Sequence, residues 1–377
     1  DRGPASVSNS KAIINSYNTW RPFTSVKESG LTLSSVENSE LTYEKKHELN
    51  IGAEIGFIDN RINIEADWYT RNNFDLIGLI YTKGTGGQLA KFANVASMKS
   101  SGVEFTVSTR NIKTKDFSWN TDFIFSHTKN EVTDLQSNAS VMDMISGNGF
   151  AMEGYPVRAL FSMDFQGLNE NGYPTFINEK GQLTVSDINF QEQLKKDHLV
   201  YEGPTDPTMT GSLGNIFRYK GFTLNAFITY SFGNVIRLDP VFHNVYSDLD
   251  AMPREFINRW TTGSDEKVTN VPVIADKRAN QQDPYLSYAY NAYNYSTERI
   301  AKGDFIRMKE LSLSYNFPKK MISRLKVNDL SLKIQATNLF LIYSDKKLNG
   351  QDPEFFNTGG VASPVPRQFT LTLRLGI

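Results

Sequence analysis

The sequence predicts an all-β protein that forms part of a large antiparallel transmembrane β-barrel, with long connections at one edge and short turns at the other. Three observations predict this fold. Segments in which apolar and polar residues alternate recur along the chain. Long and short connections between these segments alternate, as in bacterial barrels. No apolar run reaches the roughly 18 to 20 residues of a membrane helix, which leaves a closed barrel as the way to cross a bilayer.

The last predicted strand shows the alternation most clearly. Its polar or small residues are Thr370, Thr372, Arg374 and Gly376. The large apolar residues of the same segment all fall on the opposite parity: Phe369, Leu371, Leu373, Leu375 and Ile377. Because successive side chains of a strand point to opposite faces, one face meets an apolar solvent and the other meets water. Lipid outside and water inside is the simplest interpretation.

The earlier strands are predicted as hairpins with the same alternation. Eight such strands are predicted, and the last strand makes nine spanning strands in all. The eight are 46–57, 61–71, 102–110, 117–126, 213–219, 222–232, 311–317 and 330–336. Within the segment 117–126, Ile124 is the one residue that does not fit the alternation. A further hairpin is predicted around 159–176, above the membrane. An odd strand number predicts that more strands precede this chain, because bacterial single-chain barrels have even numbers.

The connections predict the orientation. Short links at 58–60, 112–115, 220–221 and 318–329 alternate with long ones at 77–97, 132–208, 234–303 and 342–366. Bacterial barrels have short periplasmic turns and long extracellular loops. We therefore expect the long connections and residues 1–45 to be extracellular loops of a barrel wall that spans 46–377.

Charged residues on the polar parity are expected to face the lumen. They are Glu54, Glu65, Asp67, Arg71, Glu104, Arg110, Asp122 and Arg374. The simplest role for them is to hydrate the lumen, and the alternatives are that they pair with one another or hold a plug.

Composition and motifs argue against other classes. A net charge of -1 gives no reason to expect nucleic acid, and zero cysteines exclude a disulfide scaffold or a thiolate metal site. His47-Glu48 begins a zinc-protease motif, but Ile51 stands where the second histidine belongs. We expect no enzyme, no cofactor and no metal. Four oxygen-bearing residues have a spacing compatible with calcium, although turn chemistry explains them equally well: Asp345, Asn349, Asp352 and Glu354.

A tyrosine-rich segment lies inside the long predicted loop 234–303. Its tyrosines are Tyr285, Tyr288, Tyr290, Tyr293 and Tyr295. Tyrosine offers a flat apolar face and a hydroxyl, which suits contact with a sugar, a peptide or a partner protein. Packing of the loop onto its neighbours is the favoured alternative.

Two other readings of the whole chain stay open at this point. A soluble, secreted all-β carbohydrate-binding protein would also show strands with one apolar face, because a β-sandwich buries such faces against each other. A glycan-degrading enzyme is a more remote alternative.

Several short phrases of the sequence resemble SusC/RagA-type TonB-dependent transporters of the Bacteroidetes outer membrane. In chain order they are Asn94-Val95, Ser101-Gly102-Val103-Glu104-Phe105, Phe117-Ser118-Trp119, Thr128-Lys129-Asn130-Glu131-Val132, Asn258-Arg259-Trp260-Thr261, Gly303 to Tyr315, Asn338-Leu339-Phe340 and Asp352-Pro353-Glu354. Each phrase is weak alone, and their order over 41–377 makes the match specific. The chain departs from the pattern at Ile377, where outer-membrane strands usually end in an aromatic residue.

The resemblance implies the C-terminal part of a barrel of about 22 strands with a plugged lumen. It further implies active import of an oligosaccharide or peptide across the bacterial outer membrane, powered through TonB. The implied partners are a SusD-like surface lipoprotein as a lid, the upstream remainder of the barrel with its plug, the TonB complex and outer-membrane lipid. This chain has no counterpart of the plug or the TonB box.

Overall fold

A computed structural model of the chain describes residues 11–20, 23, 25–81, 90–136, 139–247, 249–323, 327–355 and 366–376. The strands in chain order are β1 (Ile13–Trp20), β2 (Lys27–Ser35), β3 (Lys45–Phe57), β4 (Ile62–Tyr81), β5 (Ala90–Lys113), β6 (Phe117–Leu135), β7 (Ala159–Met163), β8 (Phe165–Leu168), β9 (Pro174–Ile177), β10 (Leu183–Thr184), β11 (Leu199–Pro204), β12 (Met209–Tyr219), β13 (Phe222–Phe232), β14 (Val235–Arg237), β15 (Ile300–Lys302), β16 (Phe305–Asn316), β17 (Asp329–Ser344) and β18 (Gln368–Gly376). The α-helices are α1 (Val141–Ile145), α2 (Lys277–Gln282), α3 (Leu286–Asn294) and α4 (Lys319–Ile322). Short 3₁₀ helices lie at Arg254–Asn258, Asp265–Lys267, Thr297–Arg299, Lys346–Leu348 and Pro353–Phe355.

Nine strands form one antiparallel sheet, in the order β18-β17-β16-β13-β12-β6-β5-β4-β3. Every neighbour in this sheet is also the next sheet strand along the chain, so the sheet is a simple meander. The nine predicted spanning strands are these nine strands, which confirms the predicted strand number for the described residues. β3 and β18 lie at the two edges of the sheet.

The register aligns the apolar parity of all nine strands on one face. Ile334 of β17 pairs with Leu371 of β18, and Val107 of β5 pairs with Phe123 of β6. Directly opposed residues of an antiparallel pair share a face, so the apolar stripes merge into one continuous apolar face. Its side chains stay exposed, as Phe369 (72%) and Phe123 (37%) illustrate. A sandwich would bury them, so the described residues do not form the predicted alternative of two packed sheets.

The short turns have the backbone conformations that tight hairpins need. Residues 58–60 all have positive φ, at 55°, 53° and 58°, and Asp and Asn tolerate this region better than most residues. Lys220 and Gly221 also have positive φ, 44° and 92°, as in the two-residue turns that match the twist of paired strands. All four short connections lie at one edge of the sheet, which we call the turn edge.

The predicted loop at 77–97 is too long, because β4 continues to Tyr81 and β5 begins at Ala90. The pairing shifts register between Asn73 and Ile77, where Asp75 has φ of 56°. A bulge interrupts the two-residue period, so the pattern fails to show that the strand resumes beyond it. Two further boundaries shift, since β6 ends at Leu135 and β17 at Ser344.

Other predicted segments are also more structured than expected. Residues 1–45, predicted as a loop, include the hairpin β1–β2 and the start of β3. The hairpin predicted around 159–176 is present in part as β8–β9, whereas β7 pairs with β11 instead. Predictions for residues 1–10, 82–89, 356–365 and Ile377 lie outside the described residues.

The connections 136–208 and 233–304 fold together into a compact body at the edge opposite the turns, which we call the loop body. Small sheets within it are β8-β9-β10, β7-β11 and β14-β15. Its buried core consists of Ala139, Val141, Met144, Ile145, Ala159, Phe161, Met163, Phe176, Ile188, Leu199, Phe242, Phe256, Ala275, Leu286, Ala289, Tyr290, Ala292 and Tyr293. The loop body is therefore held by its own hydrophobic core. Within the part of the chain that the structure describes, no helix is both long and apolar enough to cross a membrane.

Candidate functional site

A cavity of about 680 Å³ lies between the loop body and the polar face of the sheet. Its floor carries four hydroxyl side chains from β12 and β13, namely Thr210, Ser212, Thr229 and Ser231. Thr210 pairs with Ser231 and Ser212 with Thr229, so the four hydroxyls form one patch on the polar face. Such a floor offers donors and acceptors to a polar solute.

Arg158 supplies a fixed positive charge to the cavity wall on the loop-body side. Its Nε donates to the Asn148 carbonyl at 3.0 Å, and one terminal nitrogen lies 2.7 Å from an Asp206 carboxylate oxygen. Asn148 and Arg158 both line the cavity. Because the guanidinium is held on two sides, its direction is preset.

A bulge in β16 brings Lys309 to the cavity. Met308 and Glu310 pair with the neighbouring strands, and the register shifts between them, so Lys309 is the extra residue. Opposite the bulge, Asn338 has φ of 52°, a conformation that asparagine adopts more readily than most residues. Bulges redirect side chains next to functional sites. Two phrases of the resemblance, 303–315 and 338–340, thus meet at one irregularity of the wall.

A buried ion cluster lies beside the cavity. Arg307 of β16 and Asp352 are 4% and 6% exposed, and the guanidinium donates a hydrogen bond to the Asp352 carboxylate. Glu354 lies 3.2 Å from Arg307 Nε and lines the cavity. The cluster ties residues 352–354 to the sheet.

The same contacts bear on the calcium alternative. Two of its four oxygen-bearing residues, Asp352 and Glu354, neutralise Arg307 instead. Asp345 accepts hydrogen bonds from the amides of Lys302 and Lys347 at 2.8 and 2.9 Å. Turn chemistry and ion pairing therefore account for these side chains. Among the described residues no group of three or more His, Asp or Glu side chains is arranged to hold a metal ion.

A second joint between sheet and loop body lies at Gly303 and Asp304. Asp304 accepts a hydrogen bond from the Gly233 amide at 2.7 Å. A Cβ at Gly303 would come within 2.1 Å of the Asn234 side-chain amide, so a larger residue here would displace that amide. Asn234 lines the cavity, and its buried Oδ1 has no hydrogen-bond partner among the described residues.

The tyrosines of the candidate segment divide into two groups. Tyr290 and Tyr293, each 1% exposed, lie in the core of the loop body, and burial raises the pKa of both phenols. Tyr290 donates to the Val273 carbonyl. For these two the packing alternative holds, and direct ligand contact is excluded by burial. Tyr285 and Tyr288 are 60% and 43% exposed with ring centroids 5.7 Å apart, so for them contact with a ligand or partner stays a prediction.

Tyr295, the fifth tyrosine of the segment, contributes mainly to structure. Its carbonyl accepts a hydrogen bond from the Met163 amide at 2.9 Å. Its ring lies 5.9 Å from the buried guanidinium of Arg237, whose pKa burial lowers to about 10. The arginine also donates to the Phe161 and Ser296 carbonyls at 2.6 and 2.8 Å, which satisfies part of its buried polar surface.

The charged residues predicted to face the lumen lie on the polar face, opposite the apolar face: Glu54, Glu65, Asp67, Arg71, Glu104, Arg110, Asp122 and Arg374. Arg71 pairs with Glu48 at 2.8 Å. Glu54 lies directly opposite Glu65, so these two carboxylates repel and do not neutralise each other. Asp67 opposes Glu104 in the same way. That this face borders a lumen stays a prediction.

The sequence did not predict a contact that Gly102 makes on the polar face. Tyr69 of β4 lies across Gly102 of β5, and its hydroxyl hydrogen-bonds Thr128 of β6 at 2.8 Å. A Cβ at Gly102 would lie 2.5 Å from the tyrosine ring. A glycine inside a strand often indicates that another group approaches closely, so Gly102 could have indicated this contact.

A single antiparallel meander with one exposed apolar face, one polar face and a folded body at one edge is the wall of a large β-barrel with its loops. No protein-family model matches the chain. The curated TonB-dependent receptor P3 of Formosa agariphila is 24% identical over 362 residues, which cover 90% of this chain and 34% of the receptor. The curated TonB-dependent receptor SusC of Bacteroides thetaiotaomicron is 26% identical over 357 residues, covering 90% of this chain and 32% of SusC.

A solved structure of the RagAB peptide transporter superposes on the chain with a TM-score of 0.74 and 22% sequence identity. The match covers 97% of this chain and 38% of the solved one. The predicted barrel fold is therefore confirmed. The resemblance to SusC/RagA-type TonB-dependent transporters is confirmed as well, for a chain that spans about a third of the length of the curated relatives it matches.

Proposed function

We propose that this chain forms part of the wall and the outer loops of a TonB-dependent importer, which takes up an oligosaccharide or a peptide across a bacterial outer membrane. The observation that carries the proposal is the apolar face, which the register keeps continuous across nine strands. An exposed apolar surface of this extent is not stable in water, and a lipid bilayer is the environment that fits it. The names of the relatives, receptors and a transporter, agree with import and not with catalysis.

In this proposal the turn edge would lie in the periplasm and the loop body outside the cell, in keeping with the usual lengths of barrel connections. The cavity between loop body and polar face then lies at the outer mouth of the lumen. Its hydroxyls and its charged side chains would contact a polar nutrient on entry. Hydroxyl groups of sugars and amide groups of peptides both match this set of donors and acceptors.

The proposed partners would contact three kinds of surface of the described residues: unpaired strand edges, like-charged pairs and exposed apolar side chains. The free edges of β3 and β18 would pair with the upstream remainder of the barrel. The like-charged pairs around Glu65 and Glu104 would be neutralised by cations of the plug in that remainder. A SusD-like lipoprotein would cover the loop body, where the apolar side chains of Leu194 (91%) and Leu249 (97%) are exposed. TonB would act through the upstream part, and bilayer lipid would cover the apolar face.

Two adjacent residues test the import route in the full-length protein. Thr210 lines the cavity, whereas Met209 lies on the apolar face. Thr210→Trp should narrow the cavity and lower nutrient uptake several-fold, and Met209→Trp should leave uptake near the wild-type rate. The measurement is uptake of labelled oligosaccharides and peptides by cells with and without TonB. Uptake that does not depend on TonB, or equal rates in the two variants, would contradict the proposal.

The partner prediction concerns the exposed tyrosines. Replacing Tyr285 and Tyr288 together by alanine should weaken binding of the surface lipoprotein or lower uptake, while the barrel still assembles. Pull-down of the lipoprotein and growth on the nutrient measure the effect. Lys277→Gln, an exposed change in the neighbouring helix α2, is the control. Normal growth and normal pull-down of the double variant would remove these tyrosines from the interface.

A further inference from the structure

The turn edge carries a cluster of positive charges that the importer function does not use. A cavity of about 310 Å³ lies between the β5–β6 and β12–β13 turns. Four cationic residues line it, Lys113, Lys115, Arg218 and Lys220. Asp116 is the one acidic residue among its lining residues. The cavity therefore has a strong excess of positive charge.

These charges are not neutralised within the part of the chain that the structure describes. None of the four cations has a carboxylate oxygen within ion-pair distance among the described residues, whereas Lys45 and Arg71 of the same sheet do pair, with Asp75 and Glu48. Like charges held close together repel one another. An anionic group in the cavity would relieve that repulsion.

Aromatic rings end the apolar face next to this cavity. They form a band at the turn edge, made of Phe117, Tyr219, Phe222, Tyr315 and Phe317. Phe222 and Tyr315 lie with ring centroids 4.3 Å apart, and the ammonium of Lys220 lies 5.3 Å from the centre of the Tyr219 ring. Aromatic girdles mark the interface between hydrocarbon and headgroups. The cations just beyond this band are thus at the depth of lipid phosphates.

The cavity is also reachable from the apolar side. Its lining includes Phe117 and Tyr219 of the apolar face together with Ser118 and Arg218 of the polar face, so it opens at the edge of the wall. The next turn adds Lys319 and Lys320, which follow Phe317 and Pro318. Basic residues that border a membrane attract anionic lipids.

We propose that this cavity binds the phosphate of an anionic phospholipid in the membrane leaflet at the turn edge. The proposal rests on the membrane placement of the proposed function. The shared chemistry is a phosphate group, and a lipid is favoured over free phosphate because the aromatic band lies where the glycerol and acyl chains of a lipid would pack. The site would fix the height of the wall in the bilayer.

Native mass spectrometry of the full-length protein in detergent tests this directly. The protein is mixed with equal amounts of phosphatidylglycerol and phosphatidylcholine. The wild type should retain phosphatidylglycerol in preference, and a K113Q/K115Q/K220Q variant should lose retention by roughly fivefold or more. The control is K195Q/K267Q/K277Q, which makes the same charge change on the loop body and should behave as the wild type.

Three outcomes would overturn the lipid site. These are equal retention of both lipids by the wild type, unchanged retention in the turn variant, or displacement of phosphatidylglycerol by inorganic phosphate at the same concentration. Heat-modifiable migration in gels shows whether each variant holds a folded barrel. A folded barrel in detergent without lipid preference refutes only this site, whereas a protein that stays in aqueous buffer without detergent refutes the membrane placement itself.

Discussion

Arginine should destabilise the protein at position 123 but not at position 124, because these adjacent residues of β6 lie on opposite faces of the sheet. Phe123 pairs with Val107 and Leu213 on the apolar face. Ile124 pairs with Thr106 and Ser212 on the polar face. The two side chains are similarly exposed, at 37% and 45%. Exposure alone therefore predicts that arginine is tolerated equally well at the two positions. Only the solvent at each face, lipid or water, makes the two substitutions differ.

The position of Phe123 sets the expected magnitude. It lies six residues from the start of β6 at Phe117, which corresponds to about 20 Å along the strand. With a strand tilt of about 40°, the height above the turn edge is roughly 15 Å, near the middle of an apolar band about 25 Å tall. Arginine facing lipid at that depth costs about 2 to 4 kcal/mol in free energy of unfolding.

The loss of the phenylalanine ring needs its own control. Phe123 stacks on Tyr230 with centroids 6.4 Å apart, a contact worth about 1 kcal/mol. Phe123→Ala removes that contact without adding charge, so the difference between the Arg and Ala variants isolates the cost of the charge. Ile124→Arg should change stability by less than about 1 kcal/mol.

The assay is urea unfolding of the full-length protein in lipid vesicles, followed by the loss of heat-modifiable migration in gels. The expected result is a lower unfolding midpoint for Phe123→Arg than for Phe123→Ala, with Ile124→Arg near the wild type. If Phe123→Arg and Ile124→Arg have the same midpoint, the apolar face does not contact lipid and the barrel interpretation fails.

Two further predictions concern packing within the wall. Gly102→Ala places a Cβ 2.5 Å from the Tyr69 ring and should lower the free energy of unfolding by about 1 to 3 kcal/mol, whereas Gly263→Ala, with no atom within 4 Å, should be neutral in the same urea titration. Asp352→Asn removes the buried carboxylate from Arg307 and leaves only the partly exposed Glu354 to pair with it, so the attachment of residues 345–355 should be destabilised by roughly 1 to 3 kcal/mol. Hydrogen exchange of that segment should become faster, and protection equal to the wild type would contradict the ion cluster.

Some boundaries and contacts were not readable from the alternation of residues. The strand continuation beyond Asp75 was missed because a bulge breaks the two-residue period there. The ion cluster of Arg307 was missed because its buried partner Asp352 lies 45 residues further along the chain. From the sequence alone, the distant carboxylate that pairs with a charged residue on the polar face of a strand cannot be predicted. The cavity at the loop body was missed for the same reason.

The tyrosines of the loop body also show that the sequence did not predict which side chains are buried. All five fit a ligand surface by composition, and α3 turns Tyr290 and Tyr293 into the core while Tyr288 stays exposed. The helical period decides which side chains are buried, and a nine-residue helix flanked by irregular chain was not predicted.

The sequence by itself determined the nine strands, the face that each side chain takes and the asymmetry of the connections, because these follow from local alternation and turn chemistry. Only the tertiary structure decided how the two long connections share one core, where Arg307 finds its carboxylates and where the two cavities lie. Those features depend on contacts between residues far apart in the chain, and no local pattern of side chains encodes such pairings.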